Sequence, residues 1–480
     1  MIIKIIKMKF YDREAELKEF QTLSSYRPSF LVVTGKRRIG KTELALQHLK
    51  ETKRGFYFFV DDKKSENILI KEFMEELKLF IPEYLKEVKS FDDFLLLLFD
   101  LSKKEPATFV FDEFQRFLKI NPSIINQFQK NWDIKAKKSK AFLIITGSSV
   151  GMIKKIFVEE GAPLFKRADN ILYLEPFTFA EIKEILKGLG IRTFEEQLKL
   201  YFLFGGIIYY YKLMEKYKVR SFEEAVRKLI VREFAPLRDE VKDTLIESFG
   251  REHRTYYEIL NAIGMGKNTK KEMSGWVKVE ETSLSPYLID LKELVKAISY
   301  RLPVTEDPNR SKKGRYIISD NFFLFWFRFI FRNRNYYEQK KFAFIEELIN
   351  KQKNDFFGKR YEVFCQEVLE KLNYNKKLPF FFETAGTWWG HRREENERKE
   401  IEIDLVALNG KTKQIMFGEC KWQEKVDAHS VLSQLRKKAQ HVPWHNQERE
   451  EYYILFAKSF RNKIKEPGVT LINLKDLGTL

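Results

Sequence analysis

Phe30-Leu31-Val32-Val33-Thr34, running straight into Gly35-Lys36-Arg37-Arg38-Ile39-Gly40-Lys41-Thr42, decides the fold. A short apolar strand ends in a glycine-bounded basic loop. The amphipathic run Glu43-Leu44-Ala45-Leu46-Gln47-His48-Leu49 follows at once. Strand, glycine loop and helix in that order make a phosphate cradle. The glycines let the backbone wrap, and the amides at the helix start point at anionic oxygens. Lys41 is placed to reach the β- and γ-phosphates, and the Thr42 hydroxyl to hold Mg²⁺. The cofactors implied are ATP and Mg²⁺, bound by Gly35, Lys36, Arg37, Arg38, Ile39, Gly40, Lys41 and Thr42.

Outward from this loop, residues 8–180 alternate apolar strands with amphipathic helices, the pattern of a parallel α/β sheet. Further strands are predicted at Phe56–Val60, Thr108–Phe111, Phe142–Thr146 and Ile171–Leu174. The second of these ends in Asp112-Glu113. Asp112 is expected to support Mg²⁺ and Glu113 to polarise the attacking water, the equipment of a hydrolysing ATPase. The strand at 142–146 ends in Gly147-Ser148-Ser149, where Ser148 is placed to sense the γ-phosphate. Arg167 either contacts the γ-phosphate, in cis or from a neighbouring subunit, or is a surface arginine.

The chain has 480 residues, enough for about three domains, and 44% are hydrophobic, enough for sizeable cores. Lys and Arg number 87 against 69 Asp and Glu, a net charge of +18. That excess favours a polyanionic partner. With no amphipathic anchor or spanning run in sight, the expected partner is nucleic acid, DNA ahead of RNA, and not a membrane. A homo-oligomer is left open. Two cysteines, Cys365 and Cys420, suit neither a disulfide framework nor a zinc site. The opening seven residues are too short for a secretory signal. Both features point to a cytoplasmic setting.

Residues 181–235 read as a helical lid. Residues 236–318 read as helices, then an amphipathic helix from Leu284, then strands at Ala297–Leu302 and Arg315–Ile318, which is winged-helix order. Lys267, Lys270, Lys271, Lys278, Lys292, Lys296, Arg310, Lys312, Lys313 and Arg315 surround it. Its last helix carries no Arg and few amides, so the unit either contacts phosphates nonspecifically or packs against the ATPase. Residues 319–345 read as a linker in outline, with the aromatic run Phe322–Phe331 inside them read as a core helix and Arg332–Tyr337 as the linking stretch.

A last domain spans 346–480. A helix over Lys359–Leu372 carries Glu362, and a loop with Glu383, Trp388 and Trp389 follows. The strand Ile401–Ala407 carries Asp404. After the Asn409-Gly410 turn, the strand Gln414–Trp422 carries Glu419 and Lys421 on one face. Asp404 and Glu419 are candidate Mg²⁺ ligands, with Glu362 completing the shell through water. Lys421 is placed to orient water or steady the phosphate. The chemistry implied is phosphodiester cleavage, with binding of nucleic acid without cutting as the alternative. Gln434 and Lys438 share a helix face suited to phosphate. Trp388, Trp389 and Trp422 either stack on bases or anchor a core.

Phe10-Tyr11-Asp12-Arg13-Glu14-Ala15-Glu16-Leu17 resembles the amino-terminal signature of archaeal AAA+/STAND-type ATPases. The glycine loop, Phe111–Gln115, Thr146–Ser149 and Pro163–Arg167 follow in that family's order. Phe204-Gly205-Gly206-Ile207-Ile208-Tyr209-Tyr210 is similar to its Gly-Gly-x-Pro-Tyr-Tyr lid element, with Ile208 in place of Pro. Asp320-Asn321-Phe322-Phe323-Leu324-Phe325-Trp326 is similar to a segment of the branch carrying a DUF234 region. The carboxylate–lysine strands resemble the PD-(D/E)xK nucleases, with Ile403 where Pro is usual. The resemblance implies an α/β multidomain chain. Its parts are a P-loop NTPase parallel sheet with helical lid, a winged helix, and a restriction-endonuclease-like α/β domain.

Overall fold

The computed structural model describes residues 13–78, 88–394 and 397–479. Phe10, Tyr11 and Asp12 of the amino-terminal signature lie outside them. Strands β1 (Ser29–Gly35), β2 (Gly55–Phe59), β3 (Ala107–Asp112), β4 (Ala141–Gly147) and β5 (Asn170–Leu174) form one sheet in the order β2-β3-β4-β1-β5. Every pairing in it is parallel. β1, β3 and β4 are buried at every position, as strands covered by helices on both faces must be. One face packs on Phe58, Phe73, Phe94 and Phe111. The other packs on Leu31, Val33, Leu44 and Val110.

His48, on the helix Lys41–Lys50, is only 5% exposed. It lies between Phe20 and Phe142, with ring centroids at 5.4 and 5.6 Å. Burial, then the Arg27 charge, pushes its pKa down to about 4. The unfolded chain therefore takes up a proton as pH falls from about 6.5 to about 4, while the folded one stays neutral. Stability is expected to fall across that window by up to about 3 kcal/mol. Urea titrations of the parent and His48→Phe across that pH range check this; an equally steep loss in the variant would refute it.

Beyond the sheet, the helices Phe179–Gly188, Phe194–Phe204 and Ile208–Lys216 form the lid region. The helices Glu240–Phe249, His253–Gly264, Lys270–Val277 and Leu284–Glu293 follow, then a hairpin of β6 (Ile298–Arg301) and β7 (Arg315–Ile318). Helices followed by a hairpin are the elements found, and the unit packs on both of its neighbours. A Cβ on Gly151 of the ATPase would lie 1.7 Å from the Leu294 side chain, and Lys154 pairs with Glu293 at 3.6 Å. The last helix thus abuts the ATPase at its carboxyl end. The hairpin docks on the carboxyl-terminal sheet: Trp389 Nε1 donates to the Lys313 carbonyl, and Arg315 pairs with Glu400.

The stretch 319–345 is no linker. Asn321–Phe325 and the helical turns after it bury Phe322, Phe325, Phe327 and Phe329. Phe322 meets Phe204 of the lid at 6.2 Å, and Phe325 meets Phe356 at 5.7 Å. Phe356 belongs to a single helix of 33 residues, Phe342–Tyr374, about 50 Å long.

The carboxyl-terminal sheet runs β12-β11-β10-β9-β8, with β8 Thr384–Glu394, β9 Glu397–Asn409, β10 Gln414–Lys421, β11 Glu450–Ala457 and β12 Val469–Asn473. β8 replaces the expected loop. It pairs antiparallel with β9, and Trp388 and Trp389 point to opposite faces, one into the core and one against the hairpin. Trp388, Trp389 and Trp422 are 4, 7 and 6% exposed. They are core anchors and do not stack on bases. One core runs from Phe177 in the lid through the helix Phe342–Tyr374 to Leu477.

Candidate nucleotide site and a carboxylate–lysine cluster

β1 delivers the glycine loop to the carboxyl edge of the parallel sheet, where β3 and β4 also end. Gly35 has φ 154°, and a Cβ there would lie 2.5 Å from the Leu174 carbonyl oxygen. Gly40 has φ 103°, which favours glycine. Lys41 is 5% exposed and donates to the Gly35 and Lys36 carbonyls at 3.0 and 2.9 Å. Burial lowers its pKa to about 8, against the raising charges of Glu113 and Asp112.

Thr42 donates its hydroxyl to Asp112 Oδ2 at 2.7 Å. A hydroxyl and a carboxylate at one point are hard oxygen donors, a set that fits Mg²⁺. Asp112 also accepts from Thr146 and, at 2.6 Å, from Tyr57. Burial and the Asp112 charge raise the Tyr57 pKa, so it stays a donor. Tyr57 escaped the sequence reading. Its signal was a lone hydroxyl among the phenylalanines of β2.

Glu113 sits in the left-handed region at φ 59°. Its Oε2 accepts from Ser148 at 2.7 Å and from Gln115 at 2.6 Å. Ser148, expected as a γ-phosphate sensor, thus fixes the carboxylate expected to orient water. Ile39 is buried beneath the loop. Arg167 is not brought to this edge. It bonds Asp133 at 3.0 Å near Asp169, which accepts from the Phe30 amide at the opposite end of β1. In cis it is a surface ion pair.

The three basic loop residues are all engaged by carboxylates from beyond the ATPase. Lys36 pairs with Asp320 at 3.1 Å and Arg37 with Glu247 at 2.8 Å. Arg38 pairs with the buried Glu240 and lies over the Tyr209 ring at 4.1 Å. Two clefts flank the loop. One, of about 210 Å³, lies between Lys41, Thr42 and the lid residues Ile208 and Tyr209. The other, of about 590 Å³, lies between Glu113, Ser148 and Glu247.

In the carboxyl-terminal sheet, Gly418 pairs with Leu405, after which β10 leaves β9. Asp404 Oδ2 takes the freed Cys420 amide at 2.8 Å. Burial, then the charge of Glu419, raises the Asp404 pKa. Burial, then the charge of Asp404, raises that of Glu362. Glu419 is 6% exposed and accepts from Lys421 at 2.7 Å and from Lys438 at 2.9 Å on each oxygen. Asp404, Glu419 and Lys421 therefore do converge. Asp404 and Glu419 are the two carboxylates expected to hold Mg²⁺, with Glu362 reaching it through water. Among the described residues no group of three or more His, Cys, Asp or Glu side chains is placed to hold a metal. Two ammonium groups engage Glu419 and a backbone amide engages Asp404. Lys438, expected to face phosphate, is one of those ammonium groups.

Residues 10–213 match the family described as an ATPase domain predominantly from Archaea. Residues 326–432 match DUF234, archaeal and bacterial proteins of unknown function. An uncharacterized protein of Methanocaldococcus jannaschii is 35% identical over 97% of this chain and 99% of its own length. The Walker-type ATPase PABY2304 of Pyrococcus abyssi superposes with a TM-score of 0.51 at 20% identity, over 66% of this chain and 96% of that one. That likeness shows a shared fold. No helix among the described residues is long and apolar enough to cross a membrane. With its glycine loop, Asp112-Glu113 strand end and DUF234 region in family order, the chain belongs to the predominantly archaeal P-loop ATPases that carry a DUF234 region.

Proposed function

We propose that the chain is an ATP-hydrolysing switch whose nucleotide state controls a nucleic-acid-facing site in the carboxyl-terminal sheet. One observation carries this reading: three side-chain contacts, joined through chain neighbours, lead from the glycine loop to the carboxylate–lysine cluster. Lys36 holds Asp320. The next residue, Asn321, accepts from Arg360 on the long helix and donates to the Tyr201 carbonyl at 2.7 Å. Lys359 and Glu362, beside Arg360, pair with each other at 3.1 Å within the cluster.

Lys36, Arg37 and Lys41 bind the phosphates in this reading. Thr42 and Asp112 hold Mg²⁺, which supplies neutralising charge to the phosphates. Glu113, fixed by Ser148 and Gln115, orients the attacking water. Phosphate oxygens compete with Asp320, Glu247 and Glu240 for the loop's cations, so nucleotide binding loosens the first of those contacts. The net charge of +18 supports a nucleic-acid partner.

The test is the affinity of the full chain for labelled DNA and RNA, with and without ATP, in the parent and in Asp320→Ala. Expected is an ATP-dependent change in the parent that largely disappears in the variant. A parent whose affinity ignores ATP would end the switch reading.

A second reading, phosphodiester cleavage, is favoured by the convergence of Asp404, Glu419 and Lys421. It requires Lys438 to leave Glu419.

A further inference from the structure

A cleft of about 420 Å³ lies between the helices His253–Gly264 and Lys270–Val277 and the turn at Phe331–Tyr336. It shares no lining residue with the two clefts at the glycine loop. Trp276 and Tyr336 line it and are 43 and 41% exposed. Most other aromatic rings of this chain are packed inside; Tyr336 keeps its exposure although it packs on Phe344 at 4.5 Å with Lys341 over its ring at 5.6 Å.

The polar lining is basic. Arg332 and Arg334 reach the cleft, and among the described residues neither pairs with a carboxylate. Arg334 lies instead over the Phe331 ring at 5.0 Å. Asn261 adds an amide and Glu258 a single carboxylate.

We propose that this cleft binds a base of single-stranded nucleic acid. The rings of Trp276 and Tyr336 stack on it, which any base permits because every base has a π-face. The amide of Asn261 and the carboxylate of Glu258 meet its polar edge, with Glu258 accepting from an exocyclic amine. Arg332 and Arg334 neutralise the flanking phosphates. Two unpaired guanidinium groups against one carboxylate leave the cleft positive. The helix Leu284–Glu293, the one a winged helix presents to a duplex groove, abuts the ATPase at its carboxyl end. The proposal rests on the nucleic-acid reading above and adds where, and in which form, the strand is held.

The test is fluorescence anisotropy of the full chain with a labelled mixed-sequence single strand and with the corresponding duplex. The variants are Trp276→Ala, Tyr336→Ala, Arg332→Ala/Arg334→Ala and, as a conservative control, Trp276→Phe. ATP turnover serves as the check on folding, since no cleft residue touches the glycine loop. The single strand is expected to bind tighter than the duplex. Each aromatic-to-alanine change is expected to weaken it at least about fivefold, while Trp276→Phe keeps most of the affinity. Losing both arginines is expected to weaken binding and flatten its salt dependence. Parent-like affinity in every variant would overturn the cleft and leave the nucleic-acid reading standing. A parent chain that binds neither strand nor duplex would overturn that reading and the cleft with it.

Discussion

Glu113→Gln is expected to slow ATP turnover by about 10²–10⁴-fold while leaving ATP affinity unchanged. The carboxylate is held at the strand end by Ser148 at 2.7 Å and Gln115 at 2.6 Å. Its backbone is in a left-handed conformation at φ 59°, one that non-glycine residues adopt seldom and that clusters at functional positions. Glutamine fills the same space and keeps a carbonyl oxygen for Ser148, so the cleft is preserved. It cannot accept a proton from water, so only the chemical step suffers. Steady-state phosphate release and equilibrium binding of a fluorescent ATP analogue separate the two effects. A variant that hydrolyses like its parent would remove Glu113 from the mechanism. Ser148→Ala should show a milder loss of the same kind, because it frees the carboxylate without deleting it.

Asp404→Asn should abolish any phosphodiester cleavage and at the same time raise Tm by a few degrees. Burial and the neighbouring Glu419 charge push the Asp404 carboxyl above its ordinary range. A carboxyl with a raised folded pKa is more easily protonated in the folded chain than in the unfolded one. The parent therefore loses stability as pH rises from the ordinary value to the raised one, and the deficit persists above it. Asparagine removes the charge and keeps an oxygen for the Cys420 amide, so the gain should be full at neutral pH and fade in acid. The measurement pairs thermal melts at several pH values with incubation of labelled single-stranded, duplex and branched DNA in Mg²⁺ or Mn²⁺. A stabilised variant beside a parent that cuts nothing would leave a cluster built for binding and end the cleavage reading. A destabilised variant would show that the carboxylate is held by attraction to Lys421 more than it is repelled by Glu419.

Sequence patterns made the ATP site readable because its parts are local. The glycine loop, Asp112-Glu113 and Gly147-Ser148 each begin on the last residue of a strand, and parallel pairing gathers strand ends at one edge. What holds those parts was hidden in distance. Glu240, Glu247 and Asp320 come from some 200 to 280 positions away, and on their own helices they look like ordinary solvated acids. The bounds 319–345 made the linker too long: the aromatic run Phe322–Phe331 was legible as a core helix, and the Arg, Asn and Tyr after it hid that the chain stays helical and packed. β8 was misread as a loop because glycines and charges interrupt its alternation. In the carboxylate–lysine cluster the residues were legible and their partners were not. The reach of Lys438 to Glu419 depends on how a helix lies across β10.

The core that extends from Phe177 to Leu477 sets how this chain comes apart. The parallel sheet has interiors of its own, but the lid, the middle helices and one face of the last sheet share a single interior, threaded by one rod of 33 residues. Cutting before that rod would strip the wall from the lid, and cutting after it would strip the floor from the last sheet. The chain is therefore expected to unfold in fewer cooperative units than the four that the motifs suggest. The carboxyl-terminal half is thus no cassette that recombination can exchange freely between ATPases: a new partner sheet has to arrive with its rod and with the lid that packs on it.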